Sequence, residues 1–149
     1  MLGNLPLSRP GVLTLPKGGT VKPSALDHLV AGPHVAGCRL LHNDDHHLLV
    51  INGRLASLTP TEYLLCMALL RQRERWEAAV GQTPLCVSFG ALQRLSGIQQ
   101  RKLLAKHFNN ASLKLIPLGV YVVCVGASYA VLLEADLHER DGRQPYSMN

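Results

Sequence analysis

The sequence predicts an α+β fold on three observations. Short apolar segments broken by turn residues fill residues 38–57, apolar residues at helical spacing follow between 59 and 115, and two β-branched runs lie between 120 and 133. At 149 residues, 47% of them hydrophobic and 17% charged, the chain excludes a disordered composition and holds enough apolar surface for one core. The domain organisation read from these features is a flexible N-terminal arm over 1–36, a folded domain over 37–135 and a polar C-terminal tail over 136–149.

The arm is inferred from the density of Pro and Gly and the lack of any period of 2 or 3.6. Pro6, Pro10 and Pro16 also interrupt any continuous apolar stretch, so no signal peptide is expected. Strands are predicted at 38–41, 48–51 and 54–57. The first two are separated by the polar run from His42 to His47, and the last two by Asn52-Gly53. Asn-Gly marks a tight hairpin because both central residues must tolerate positive φ.

The first helix has a complete start signal. Thr59 is placed as N-cap, Pro60 at the first position and Glu62 at the third, giving a Thr-x-x-Glu capping box with Leu58 positioned to pack on Tyr63. Leu65, Ala68, Leu69 and Trp76 supply its apolar face, and Arg71, Arg73 and Arg75 complement the dipole at its far end. After a break at 81–84, a second helix opens at Ser88, carries Ala91, Leu92 and Leu95, and ends at Ser96-Gly97. The third is predicted over 99–115, with Leu104, Phe108, Ala111 and Leu115 as a narrow buried stripe. Its opposite side displays Gln99, Lys102, Lys106, Asn109 and Asn110. Residues 115–133 carry no charge and approach membrane-spanning length, but Pro117, Gly119 and Gly126-Ala127-Ser128 divide them. Their β-branched and aromatic content predicts a buried hairpin over 120–133 and no membrane segment.

Charge is segregated along the chain. No Asp or Glu occurs from 78 to 133, where Arg94, Arg101, Lys102, Lys106 and Lys114 lie, and the net charge is +5. One-signed segregation points to a polyanionic partner. Two helices joined by a short Gly-containing turn, the second basic on its outer face, predict a helix-turn-helix to which the hairpin adds a wing. Lys102 and Lys106 suit guanine O6/N7 or phosphate, and Gln99, Asn109 and Asn110 suit adenine edges. Arg101, His107 and Lys114 are expected at flanking phosphates. About four phosphate contacts give a slope of log K against log salt of about −3.6.

Other chemistry is weaker in this sequence. Cys38, Cys66, Cys86 and Cys124 are irregularly spaced without a C-x-x-C pair, so reduced thiols in a cytoplasmic protein are expected, with Cys66 and Cys124 as small buried hydrophobes. His42, Asp44, Asp45, His46 and His47 are metal-ligand types, but adjacent positions in a turn are read as a solvated tip and no metal or cofactor is expected. His107 and the scattered Ser residues form no nucleophile and base pair, so no enzyme is predicted.

The motifs from 38 to 133 resemble one known family. Leu48-Leu49-Val50-Ile51-Asn52-Gly53 followed by Leu58-Thr59-Pro60-Thr61-Glu62-Tyr63 is similar to the "dG…v.LT..E" opening of the winged-helix effector domain of OmpR/PhoB-type response regulators. Val87-Ser88 resembles that family's second-helix start. His107-Phe108, Lys114-Leu115 and Leu118-Gly119 fall where its "VHI..LR.KL…G" recognition helix would place them, and Tyr129 matches the Tyr of its closing "GxGY" hairpin. The resemblance implies a winged helix-turn-helix with N-terminal antiparallel strands, three helices and a C-terminal hairpin wing. It also implies a bacterial, cytoplasmic transcription regulator that binds double-stranded DNA in a sequence-specific manner through its third helix, with a homodimer on repeated half-sites allowed. Ser112 replaces the family's Arg, Ser128 replaces the Gly before the Tyr, and the wing tip is uncharged. The connection at Gly97-Ile98 is short and no receiver domain is expected, which argues against direct RNA polymerase contact and phosphorylation control. The alternative is a winged-helix protein–protein interaction module that has lost DNA binding and uses the wing at 120–125 with Leu113.

Overall fold

A computed structural model describes residues 13–14, 20–21 and 23–138 of the chain. The fold is α+β, with antiparallel sheets of four and three strands and four α-helices among the described residues, plus a small pair formed by β1 (Leu13–Thr14) and β2 (Thr20–Val21).

The four-stranded sheet runs in chain order through β3 (Val30–Ala31), β4 (Leu40–Asn43), β5 (Leu48–Ile51) and β6 (Arg54–Ser57). Asn52 and Gly53 both take positive φ, as the β5–β6 hairpin requires, and Ile51 pairs with Arg54. All four β5 residues are buried, so both faces of this sheet are covered. Leu49, Ile51 and Ala56 face the main core, while Leu48, Val50 and Leu55 pack with Ala25, Leu26, Leu29 and Leu41 in a second cluster.

That second cluster corrects the predicted arm. Residues 23–36 of it are folded: a 3-10 turn at Pro23–Leu26 covers the outer sheet face, and β3 pairs with β4. Buried Asn43 donates from Nδ2 to the Ala25 carbonyl at 2.7 Å, while the Glu74 and Glu77 carboxylates accept the His34 and Ala36 N–H groups at 2.8 Å each. These contacts are non-local, so no period in 23–36 announces them. Residues 1–12, 15–19 and 22, the rest of that arm, lie outside the described residues apart from the β1–β2 pair.

α1 (Pro60–Ala78) begins with the expected capping box: Thr59 Oγ1 accepts Glu62 N–H, and Glu62 Oε1 accepts Thr59 N–H. Arg73 departs from its expected dipole role. It continues the stripe Leu65, Leu69, Arg73 at i, i+4, i+8 and is therefore carried into the interior, where it is buried. There it meets Asp136 of α4 (Glu134–His138) through Nη1 at 2.7 Å and Nη2 at 2.9 Å. Asp136 also accepts the Leu133 N–H, so the folded body extends beyond the predicted boundary at 135. Residues 139–149 of the predicted tail lie outside the described residues.

The second half of the chain builds the smaller sheet and two helices. β7 (Val87–Ser88) leads straight into α2 (Phe89–Ser96), and Ser88 caps that helix by accepting the Ala91 N–H. α3 (Arg101–Leu115) follows after Gly97, which ends α2 at φ +77. A 3-10 turn at Ile116–Leu118 then delivers the hairpin of β8 (Val120–Val125) and β9 (Ser128–Leu133). β7 pairs with β9, giving the order β7-β9-β8. The uncharged run 115–133 is thus divided among a helix end, a turn and a hairpin, and no helix among the described residues is long and apolar enough to cross a membrane. Leu65, Leu69, Leu104, Phe108, Leu115, Val120, Val131 and Leu133 join in one core, so α1, α3 and the hairpin share a common interior.

Candidate nucleic-acid interface

The buried stripe of α3 consists of Leu104, Phe108, Ala111 and Leu115, packed against α1 and the hairpin. At about 100° per residue, the direction opposite that stripe lies close to Lys102, Lys106 and Asn109. Those three side chains are exposed, together with Asn110 on the same side and Gln99 just before the helix. Gln99 contributes a backbone contact, its carbonyl accepting from Gln93 Nε2 at 2.9 Å. None of the five side chains has a hydrogen bond or ion pair with a described residue. No acidic residue from 78 to 133 offsets their charge.

The other three predicted contact residues are placed differently. Lys114 is turned about 80° or more away from Lys102 and Lys106, and its Nζ lies 2.7 Å from Oε1 of the buried Glu62. It closes the packing of α3 on α1. Arg101 is exposed at the first turn, with its guanidinium 5.0 Å from the centre of the Phe89 ring, so it lies toward α2. His107 is half-buried on the same flank as Lys114. Leu103 and Leu113 are exposed apolar side chains, and Leu113 lies in the middle of the outer face. The helical period locates both; Leu113 is the residue that the interaction-module alternative uses, whereas Leu103 enters neither reading of the sequence because an apolar residue outside the buried stripe draws no notice in a search for cations.

The hairpin flanks α3 and is tied to it by Phe108 and Tyr129, whose rings stack with centroids 4.4 Å apart. Its tip is held as well: the Ala127 carbonyl accepts the Phe89 N–H at 2.8 Å, and Ser88 pairs with Ser128. The turn therefore sits level with the start of α2. Val125, Gly126 and Ala127 there are exposed and uncharged. Cys124 is exposed, contrary to the expectation that it is buried. Val120, Val122 and Cys124 share one side of β8, but only the end near α3 is covered and burial is lost toward the tip.

Cys66 is fully enclosed, and burial pushes its thiol up to about 12, with Glu62 adding to the effect. Burial likewise raises Cys38 to about 11. All four cysteines are free thiols. In the His42–His47 turn, His42 Nδ1 lies 2.7 Å from the Gly32 carbonyl, Asp44 accepts the Tyr63 hydroxyl, and the His47 ring meets the Tyr63 ring edge-on. The Asp44 and His47 contacts pin the turn to α1 and the His42 contact ties it to the segment after β3, and no group of three metal-ligand side chains gathers among the described residues.

Comparison with protein-family models, curated proteins and solved structures finds no match to this chain.

Proposed function

We propose that this chain is a divergent winged-helix DNA-binding protein, a transcription regulator that inserts α3 into the major groove of double-stranded DNA. One observation carries this reading: Gln99, Lys102, Lys106, Asn109 and Asn110 share the exposed side of α3 without acidic neighbours in sequence. A cationic and amide-rich helix of this kind can hold phosphate with its lysines and base edges with its amides. The order of elements supports it further, because a helix pair joined by residues 97–100 is followed by a hairpin packed on the second helix. Arg101 extends the cationic surface toward α2, whereas Lys114 is removed from the contact set by Glu62. The uncharged, tethered hairpin tip argues for a short wing that adds little to phosphate binding. Binding by two copies on repeated half-sites is part of the proposal, and free thiols fit a cytoplasmic setting.

A gel-shift titration against a pool of random-sequence duplexes at about 50 mM salt tests the proposal, since non-specific affinity is strongest at low salt. Retardation that is weakened by the double variant Lys102→Ala, Lys106→Ala is expected. No retardation at any protein concentration up to about 100 µM, the weak end of ordinary non-specific binding, overturns it. The second reading, a protein-interaction module, is favoured by the exposed Leu103 and Leu113 on α3 and Ile116 just after it, and would move no duplex.

A further inference from the structure

Resting on the DNA-binding proposal, we infer that the outer face of α3 selects A·T base pairs, with Leu113 seated against thymine methyl groups and Asn109 and Asn110 on adenine edges. Leu113 is 57% exposed and contributes nothing to the core. At about 100° per residue it falls between the directions of Lys102 and Lys106 and about 40° from Asn109. It is thus an apolar side chain in the middle of a polar face. A phosphate backbone offers nothing to such a group. The major-groove edge of an A·T pair does, because thymine carries a methyl group beside the adenine N7 acceptor and N6 donor, and the adenine pair matches an Asn amide.

The cations point the same way. Guanine is read by arginine or lysine, and no arginine lies on the outer face of α3: Arg101, though exposed, has its guanidinium over the Phe89 ring and belongs to the α2 flank. Lys114, the nearest cation to Leu113 in sequence, is occupied by Glu62. Lys102 and Lys106 are confined to the first half of α3, where a compact point charge suits phosphate. Asn109, Asn110 and Leu113 fill the second half. From Lys102 to Leu113 the helix rises about 16 Å, or about five base-pair steps, so both halves can be seated in one passage of the groove.

The test uses the full chain and synthetic DNA. Duplexes are selected from a random pool, and the enriched sequence is then made once with thymine and once with uracil, which lacks only the methyl group. The expected results are an A·T-rich selected core and an affinity roughly fourfold lower for uracil per methyl contacted, the worth of one buried methyl. Leu113→Ala should bind both duplexes equally, with its thermal midpoint unchanged because the side chain is exposed. Equal affinity of the wild-type protein for the two duplexes, or a G·C-rich selected core, overturns the inference and leaves DNA binding intact. Failure to enrich any duplex removes the DNA-binding proposal and this inference with it.

Discussion

The ammonium of Lys114 lies 2.7 Å from Oε1 of Glu62, the same oxygen that accepts the Thr59 N–H at the start of α1. One buried carboxylate therefore completes the capping box of the first helix and anchors the last turn of the third. The pair is part of the scaffold that holds the outer face of α3 in place.

Removing the cation leaves that carboxylate in the interior with only its cap hydrogen bond. Lys114→Ala should lower unfolding free energy by about 3 kcal/mol, the range for a buried pair broken on one side. Urea denaturation checks the stability. Salt titration of DNA binding checks the role, because the slope should stay at its wild-type value.

On the DNA-binding proposal, with Lys114 occupied by Glu62, Arg101, Lys102 and Lys106 are the phosphate contacts that remain to be expected. The slope of log K against log salt is then expected at about −2.7, shallower than four contacts would give. Lys106→Ala should reduce it by about 0.9 and weaken specific and random duplexes alike.

The Arg73–Asp136 pair sets an acid limit. Burial alone would raise the Asp136 carboxyl, but hydrogen bonds from Arg73 and the Leu133 N–H, with the Arg73 charge, outweigh it and hold the group below its ordinary value. A depressed carboxylate stabilises the fold fully above its unfolded value of about 3.9, and that contribution is lost as pH falls through the folded value. Denaturation midpoints should therefore decline below about pH 4. Asp136→Asn should show a shallower decline and cost roughly 1.5–3 kcal/mol at neutral pH, the range for hydrogen bonds to a charged group, because Arg73 loses the Asp136 charge while Glu77 Oε2 stays 2.8 Å from its Nε.

Thiol chemistry separates the cysteines. Cys124 is exposed, whereas burial raises Cys38 to about 11 and Cys66 to about 12. At about pH 8 the thiolate fraction is then about one in a thousand for Cys38 and one in ten thousand for Cys66. A disulfide reagent should label Cys124 rapidly, and Cys124→Ser should remove that fast phase. Cys66 should react only in denaturant.

Val80 follows α1 at φ +49, a left-handed conformation that a β-branched side chain tolerates poorly, and it is 88% exposed. Val80→Gly relieves that conformation and removes almost no packing. A gain of about 0.5–1 kcal/mol is expected, the backbone relief being partly offset by the freer unfolded chain. A thermal melt decides the sign.

Local signals in the sequence were enough to define the α+β class, the β5–β6 turn, the capped start of α1, the stripe of α3 and the closing hairpin. Asn52-Gly53, Thr59 to Glu62 and the spacing from Leu104 to Leu115 act within a few residues, so composition and period report them directly. The same period located the cationic face and Leu113 within it. The tertiary structure alone decided which charged groups were engaged inside the fold and which stayed on its surface. Lys114 looks like Lys106 in the sequence, yet folding sets it against Glu62, fifty-two positions away. Arg73 resembles a surface cation until Asp136 arrives from sixty-three positions downstream. Residues 23–36 show no period because their partners, Asn43, Glu74 and Glu77, lie on other elements. Long-range pairing depends on where the packed core brings two segments together, and no window of neighbouring residues contains that information.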